Sequence, residues 1–96
     1  MKAFVAKLVV KPEKRGEFER LQTELRTLSL EKEPGTLVYE FLHSNDDPNT
    51  YLVVATFSDD EAFQAHQQSS FHDGYVPAIF DCLAVEMEID FYDALA

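Results

Sequence analysis

The segment Tyr51-Leu52-Val53-Val54-Ala55-Thr56-Phe57 constrains the fold more than any other, because it reads as a strand with apolar side chains on both faces. Successive strand residues point to opposite sides of a sheet. Tyr51, Val53, Ala55 and Phe57 therefore share one face, and Leu52 and Val54 the other. The strand-like run before it, Thr36 to His43, repeats the pattern with Leu37, Tyr39 and Phe41 set against Val38 and Leu42. A sheet made of such strands needs a cover on each face. Helices supply one cover. A second copy of the same sheet is the simplest source of the other, which predicts a two-fold homodimer with an enclosed sheet sandwich or barrel.

The flanking segments supply the helices and the remaining strands. Residues 3–10 are rich in β-branched and aromatic side chains, with only Lys7 interrupting, and predict a first strand. Lys11-Pro12-Glu13 opens a helix, since proline suits the first turn and acids favour the positive dipole end. Phe18, Leu21, Leu25 and Leu28 then recur at helical spacing as one buried stripe, with Glu17, Arg20 and Glu24 on the solvent side. Pro34 and Gly35 stop this helix, and Glu33 is biased away from helical geometry by the proline that follows it. Asn45-Asp46-Asp47-Pro48-Asn49 is a dense turn cluster that makes the two doubly apolar strands a hairpin. Ser58-Asp59-Asp60-Glu61 has capping-box spacing and starts a second helix running to about Gln68. Gly74 and Pro77 predict two fragments between Ser70 and Phe80. Val85, Met87, Ile89 and Phe91 alternate with Glu86, Glu88, Asp90 and Tyr92 as a last strand. The order β-α-β-β-α-β is the ferredoxin-like, α+β pattern, and 96 residues with no internal repeat make one domain, residues 1–96.

Charge narrows the partners. All eight Lys and Arg lie within residues 1–32 beside five acids, a net of +3, whereas residues 33–96 carry thirteen acids and no cation, a net of −13. Such a surface repels a phosphate backbone and an anionic bilayer, so neither nucleic acid nor membrane is an expected partner. Lys2 and Lys7 on the first strand are expected to balance an acidic neighbouring strand. No apolar run approaches the roughly 20 residues of a membrane-spanning helix, and Met1 to Lys7 reads as a strand instead of a signal peptide. Cys82, the single cysteine, has no intrachain partner and sits between Phe80 and Leu83 as a small buried hydrophobe. Both observations fit a reducing cytoplasm.

Two groups of side chains carry potential chemistry. His66 shares the inward face of the second helix with Ala62 and Phe63. An imidazole there serves either as a neutral structural group or as a general base, since its ordinary pKa lies near neutrality. Tyr39, Tyr51, Phe57, Phe63, Phe71 and Tyr75 fall on segments surrounding one space beneath that helix. They form either a filled core or the lining of a pocket for a flat aromatic ligand, with tyrosine hydroxyls fixing a phenol or quinone oxygen. His72 is a second acid–base group, a lid residue or an exposed loop histidine, and His43 at the hairpin end is solvated. His66 and His72 lack the closely spaced carboxylate or cysteine ligands that a metal site requires, and no metal is expected. Neither a phosphate-binding glycine loop nor a Gly-x-Ser-x-Gly elbow is present.

The helix stop Glu33-Pro34-Gly35-Thr36-Leu37-Val38-Tyr39, followed by the Tyr51–Phe57 strand, the Ser58-Asp59-Asp60-Glu61 cap and Ala65-His66, resembles the antibiotic biosynthesis monooxygenase family. The resemblance implies a dimeric α/β barrel and, for several members, oxidation of quinols or aromatic polyketides with no cofactor. It implies that His66 faces the cavity between sheet and helices as the catalytic base. Tyr39, Tyr51, Phe57, Phe63, Phe71, His72 and Tyr75 are then the substrate-binding candidates. Many relatives carry glutamate near the end of the third strand and tryptophan two residues later, where this chain has Ala55 and Phe57. Haem-degrading relatives use an asparagine on the first strand and a tryptophan near Phe57; both are missing here, so haem oxygenation is not expected. Two further functions compete with monooxygenation: a non-catalytic dimeric ligand-binding or stress-response module, which the changes at Ala55 and Phe57 favour, and an isomerase or lyase of the same barrel type.

Overall fold

The computed structural model describes residues 1–95. Its elements run β1 (Lys2–Val9), α1 (Arg15–Lys32), β2 (Thr36–His43), β3 (Thr50–Phe57), α2 (Asp60–Gln68), α3 (Ser70–Asp81) and β4 (Glu88–Asp93), with a short 3-10 turn at Pro12–Lys14 leading into α1. The strands form one antiparallel sheet in the order β2-β3-β1-β4, the ferredoxin-like arrangement. Among the described residues no helix is long and apolar enough to cross a membrane.

Register explains which face the helices cover. Phe4 lies opposite Ala55 and Phe91, Ala6 opposite Val53 and Ile89, and Tyr39 opposite Ala55, so all of these side chains point to the helix-covered side. The core on that side is built from Phe4, Ala6, Leu8, Tyr39, Tyr51, Val53, Ala55 and Phe57 of the sheet, with Phe18, Leu21 and Leu25 of α1 and Ile79 of α3. Gln22 and Ser29 are buried in the same helical stripe, while Leu28 is half-buried at its margin. The opposite face of the sheet has no helix on it. Leu52 and Val54 are half-buried there by their neighbours, and Val38 and Leu42 on the edge strand remain about 40% exposed. A bulge between Thr36 and Val38 takes Leu37 out of the regular alternation. Lys2 and Lys7 stand opposite Asp93 and Glu88 of β4, which places cations of the first strand beside the acidic one.

Three local expectations need correction. The cap of α2 is Asp59, whose Oδ1 accepts the Ala62 N–H at 2.8 Å. Ser58 is instead tied back to the preceding turn, its N–H donating to the Gly35 carbonyl at 2.9 Å. Residues 70–81 form one helix, not two fragments, although Pro77 lies inside it. Proline there leaves the Asp73 carbonyl without its intrahelical donor, and both residues are exposed, so water replaces the bond at little cost. Ser69 starts this helix by accepting the His72 N–H at 3.2 Å. The last strand begins at Glu88, not Val85: residues 83–84 instead turn back to the end of β1 through a Val10–Leu83 bridge and an Ala84 N–H to Val9 carbonyl bond.

The link between α1 and β2 sets where α2 sits. The Glu33 N–H closes α1 on the Ser29 carbonyl, and the Thr36 N–H returns to the Glu33 carbonyl. At Gly35 an added Cβ would overlap the Ala62 Cβ and crowd Ser58 Oγ. No glycine of the described residues has a positive φ, so what this position demands is space for α2, not an unusual backbone. Gly35→Ala should therefore lower stability by about 1–3 kcal/mol through overpacking. Gly16→Ala, where an added Cβ meets nothing within 4 Å, should cause no loss. Urea midpoints of the two variants check the contrast.

Candidate active site

A cavity of about 190 Å³ lies between the sheet and the helices, lined by Phe4, Ala6, Leu8 and Val53 from the strands, Gln22 and Leu25 from α1, Tyr39 from β2, and Phe63, His66 and Gln67 from α2. His72, Val76, Ile79 and Phe80 of α3, with Met87 and Ile89, complete the wall. An apolar cavity of roughly 150 Å³ admits a benzene ring, so this one has room for a small aromatic molecule.

His66 is 3% exposed and its position is doubly determined. Its Nδ1 lies 2.8 Å from Glu33 Oε1, which also accepts the Thr36 hydroxyl at 2.9 Å. A carboxylate only accepts, so Nδ1 carries the hydrogen and Nε2 is left as the acceptor of the neutral ring. Nε2 makes no hydrogen bond among the described residues. Glu33 Oε2 is buried without a partner among them, so the carboxylate's best available bond is the one to the histidine. The Phe57 ring packs beside the imidazole at 5.2 Å between centroids, and the His72 ring meets it edge-on at 4.9 Å.

The aromatic candidates divide into two groups. Tyr39, Phe63 and His72 line the cavity with His66. Tyr51, Phe57, Phe71 and Tyr75 do not. Phe57 is fully buried against Phe4, Phe63 and His66, one layer behind the cavity wall. Phe71 packs half-buried on the core from α3. Tyr51 stacks among Phe18, Phe41 and His43, and its hydroxyl is spent on Glu19 and Arg15 beyond the core. The Tyr75 hydroxyl donates to Glu24 Oε2 at 3.0 Å on the outer side of α1. That hydrogen bond raises the Tyr75 phenol above its ordinary pKa, and burial, reinforced by Glu19, does so for Tyr51. Neither phenol is poised to give up a proton. His43 stacks on Tyr51 and its Nε2 lies 2.7 Å from the Pro48 carbonyl, so it staples the hairpin end.

Two polar groups of the site went unassigned in the sequence. In the sequence Glu33 stands at the helix stop, where only its backbone preference is legible. Gln22 is 3% exposed, and its amide lies 2.7 Å from the Tyr39 hydroxyl. Its signal was available: it stands four residues after Phe18 and three before Leu25, a polar side chain within the apolar stripe. Among the described residues no group of three or more His, Cys, Asp or Glu could hold a metal ion.

Burial, and after it the neighbouring His66, lowers the His72 pKa below its ordinary 6.5, against weaker opposing pulls from Asp73 and Glu33. The unfolded chain thus takes up a proton at this residue more readily than the folded one. The stabilising contribution is complete above pH 6.5 and is lost as pH falls from there toward the folded-state pKa. NMR titration should give a His72 midpoint below 6.5, and urea midpoints should fall less between pH 7 and pH 5 in His72→Gln than in the wild type.

The sequence and fold match known proteins over nearly their full length. A family model for antibiotic biosynthesis monooxygenases matches residues 1–78. A candidate antibiotic biosynthesis monooxygenase from Caulobacter crescentus is 27% identical, with 99% of this chain and 90% of that chain covered at a TM-score of 0.95. A conserved protein from Methanosarcina mazei is 31% identical, with 95% and 89% covered at a TM-score of 0.90. A Nitrosomonas europaea protein at 21% identity, with both chains fully covered and a TM-score of 0.93, shares the fold. No curated protein matches the sequence. With four-fifths of its length matched by the family model and this β-α-β-β-α-β architecture, the chain belongs to the antibiotic biosynthesis monooxygenase family.

Proposed function

We infer that the protein is a cofactor-independent monooxygenase acting on a quinol or a polyketide-like phenol, with residues 1–96 as one domain and His66 as its base. The observation that supports this most is the Glu33–His66 pair at a cavity of aromatic size: one ring nitrogen is tied to a buried carboxylate and the other is free to accept. In the proposed reaction His66 Nε2 takes the phenolic proton. The resulting anion gives one electron to dioxygen, and the two radicals combine by forming a C–O bond at a ring carbon that still bears hydrogen. Cleavage of the O–O bond leaves one oxygen on that carbon as a carbonyl. The other departs as water with the hydrogens from the hydroxyl and the ring carbon. Atoms and electrons balance with no further reductant. The protein contributes orientation, exclusion of water and a positioned base. Tyr39, Phe63 and His72 are the proposed substrate contacts, while Phe57 and Phe71 support them from behind.

The non-catalytic binding module remains the second reading, favoured by one observation. Ala55 and Phe57, at positions where many relatives carry glutamate and tryptophan, are wholly buried and leave no polar group there. Oxygen uptake on a panel of quinols and anthrones separates the two readings. His66→Ala should cost roughly two to four orders of magnitude in rate if His66 is the base. Unchanged uptake in a folded variant would remove His66 from that role, and no uptake above buffer in the wild type would favour the binding module.

The uncovered face of the sheet supports a homodimer, since Val38, Leu42, Leu52 and Val54 form an apolar surface with no helix over it. Sedimentation at micromolar concentration should give about twice the 11.0 kDa chain mass. A monomer would leave that face unexplained.

A further inference from the structure

The cavity wall is apolar apart from the histidines, Gln67 and one hydrogen-bonded pair, Gln22 and Tyr39. Both of these side chains are more than nine-tenths buried, and they come from different elements, α1 and β2. A buried amide and phenol facing each other satisfy only part of their capacity. With the Gln22 Nε2 donating to the Tyr39 oxygen, the phenolic hydrogen, the second amide N–H and the Gln22 carbonyl oxygen have no partner among the described residues. With the amide turned the other way, the phenol donates to the Gln22 oxygen, and both amide N–H groups and the phenol's lone pair are left over. Either way the pair keeps two donors and at least one acceptor uncommitted. Unpaired polar groups in an apolar site are costly to leave unmatched, and an occupant that pairs with them is selected over one that cannot.

We propose that Gln22 and Tyr39 read a carbonyl or hydroxyl oxygen of the substrate, so that the site takes aromatic molecules with an oxygen in addition to the acidic hydrogen removed at His66. Quinols, hydroxylated anthrones and other keto-phenols meet this requirement, and simple monophenols do not. The inference rests on the oxygenation reading for the identity of the acidic hydrogen, while the oxygen contact itself stands apart from any reaction. Three features support it. The Tyr39 and His66 rings are neighbours, 6.1 Å between centroids, so one small molecule can reach both. Burial raises the Tyr39 phenol far above its ordinary pKa, so it stays a donor at any physiological pH. A donor held at a substrate oxygen also stabilises charge that moves onto that oxygen when the substrate loses a proton.

The test uses two probes of one skeleton, 1-tetralone and tetralin, which differ by a ketone oxygen and do not react with the protein. The variant carries Tyr39→Phe together with Gln22→Leu. Replacing both partners by apolar groups of similar shape leaves no orphaned polar group, so folding is preserved. The variant should bind 1-tetralone about tenfold more weakly than the wild type, consistent with loss of a hydrogen bond to a buried group. Binding of tetralin should change less than twofold. In the wild type, the carbonyl stretch of bound 1-tetralone should lie below its value in hexane, and the double variant should reverse that shift. Equal changes for the two probes, or a carbonyl stretch unaffected by the double variant, would overturn the proposal. The wild-type infrared measurement needs no variant, and an unshifted stretch there would overturn it as well. Failure of oxygen uptake with these binding results intact would remove the oxygenation reading and leave the oxygen-reading pair standing.

Discussion

The hydrogen bond between Glu33 and His66 is where the fold and the site meet. Burying a carboxylate is costly unless its oxygens find donors. Here Oε1 takes two, the imidazole and the Thr36 hydroxyl, and Oε2 takes none among the described residues. The bond ties residues 33 positions apart, joining the end of α1 to the last turn of α2. It is reachable only because Gly35 lets α2 approach the same turn at Ala62, one helical turn before His66. Four consecutive residues, Glu33 to Thr36, thus end a helix, start a strand, seat a second helix and orient its histidine. A side chain at Gly35 would act on His66 without touching it.

That dependence explains how the aromatic residues divide. Tyr51, Phe18, Phe41 and His43 fill the end of the molecule near the β2–β3 hairpin, where the tyrosine hydroxyl finds Glu19 and Arg15 at the rim. Phe4, Phe57, Phe63 and Phe91 fill the opposite end, and the Lys2 ammonium lies over Phe63 and Phe91 there. Between them the wall includes the smaller Ala6 and Val53, and space remains in front of His66. A protein of this size buries a modest core. Leaving part of it empty forfeits dispersion contacts, and two well-packed aromatic clusters hold the sheet and helices on either side of the gap.

Much of this was legible in the sequence because it depends on short-range physics. The alternation in Thr36–His43 and Tyr51–Phe57, the turn cluster between them and the stripe Phe18-Leu21-Leu25 each report a local period; they place β2 and β3 within a residue, while α1 starts at Arg15, after a 3-10 turn over Pro12–Lys14, a few residues later than Lys11-Pro12-Glu13 suggests. His66 could be placed on the inward face from Ala62 and Phe63 alone. What escaped the sequence was decided by contacts between distant segments. Nothing near Tyr75 or Tyr51 foretells that Glu24 and Glu19 draw their hydroxyls away from the cavity. Pro77 argues locally for a break, and only the solvent exposure of Asp73 and Pro77 in the folded chain makes a continuous helix affordable. Glu33 and Gln22 were readable as residues and not as partners, because each acquires its role from a side chain on another element.

The charge distribution bears on what the histidines can do. A chain with a net charge of −10 favours protonated imidazoles in general, which works against a base. Salt screens exposed charges beyond roughly 8 Å, so the distant acids matter little at the cavity. Close at hand, the acid beside His66 is Glu33, and its hydrogen bond fixes the ring's tautomer as well as attracting a proton. The other close neighbour, His72, has its pKa lowered by burial and by His66, so it stays neutral where the solvated chain would begin to charge. With the two imidazoles 4.9 Å apart between ring centres, a positive charge on one raises the cost of a charge on the other. The Glu33 carboxylate at Nδ1 and the apolar wall leave Nε2 as the imidazole nitrogen open to the cavity. In the proposed reaction, a substrate proton delivered to Nε2 would be stabilised by the carboxylate already bound at Nδ1, the arrangement an imidazole needs to accept it reversibly.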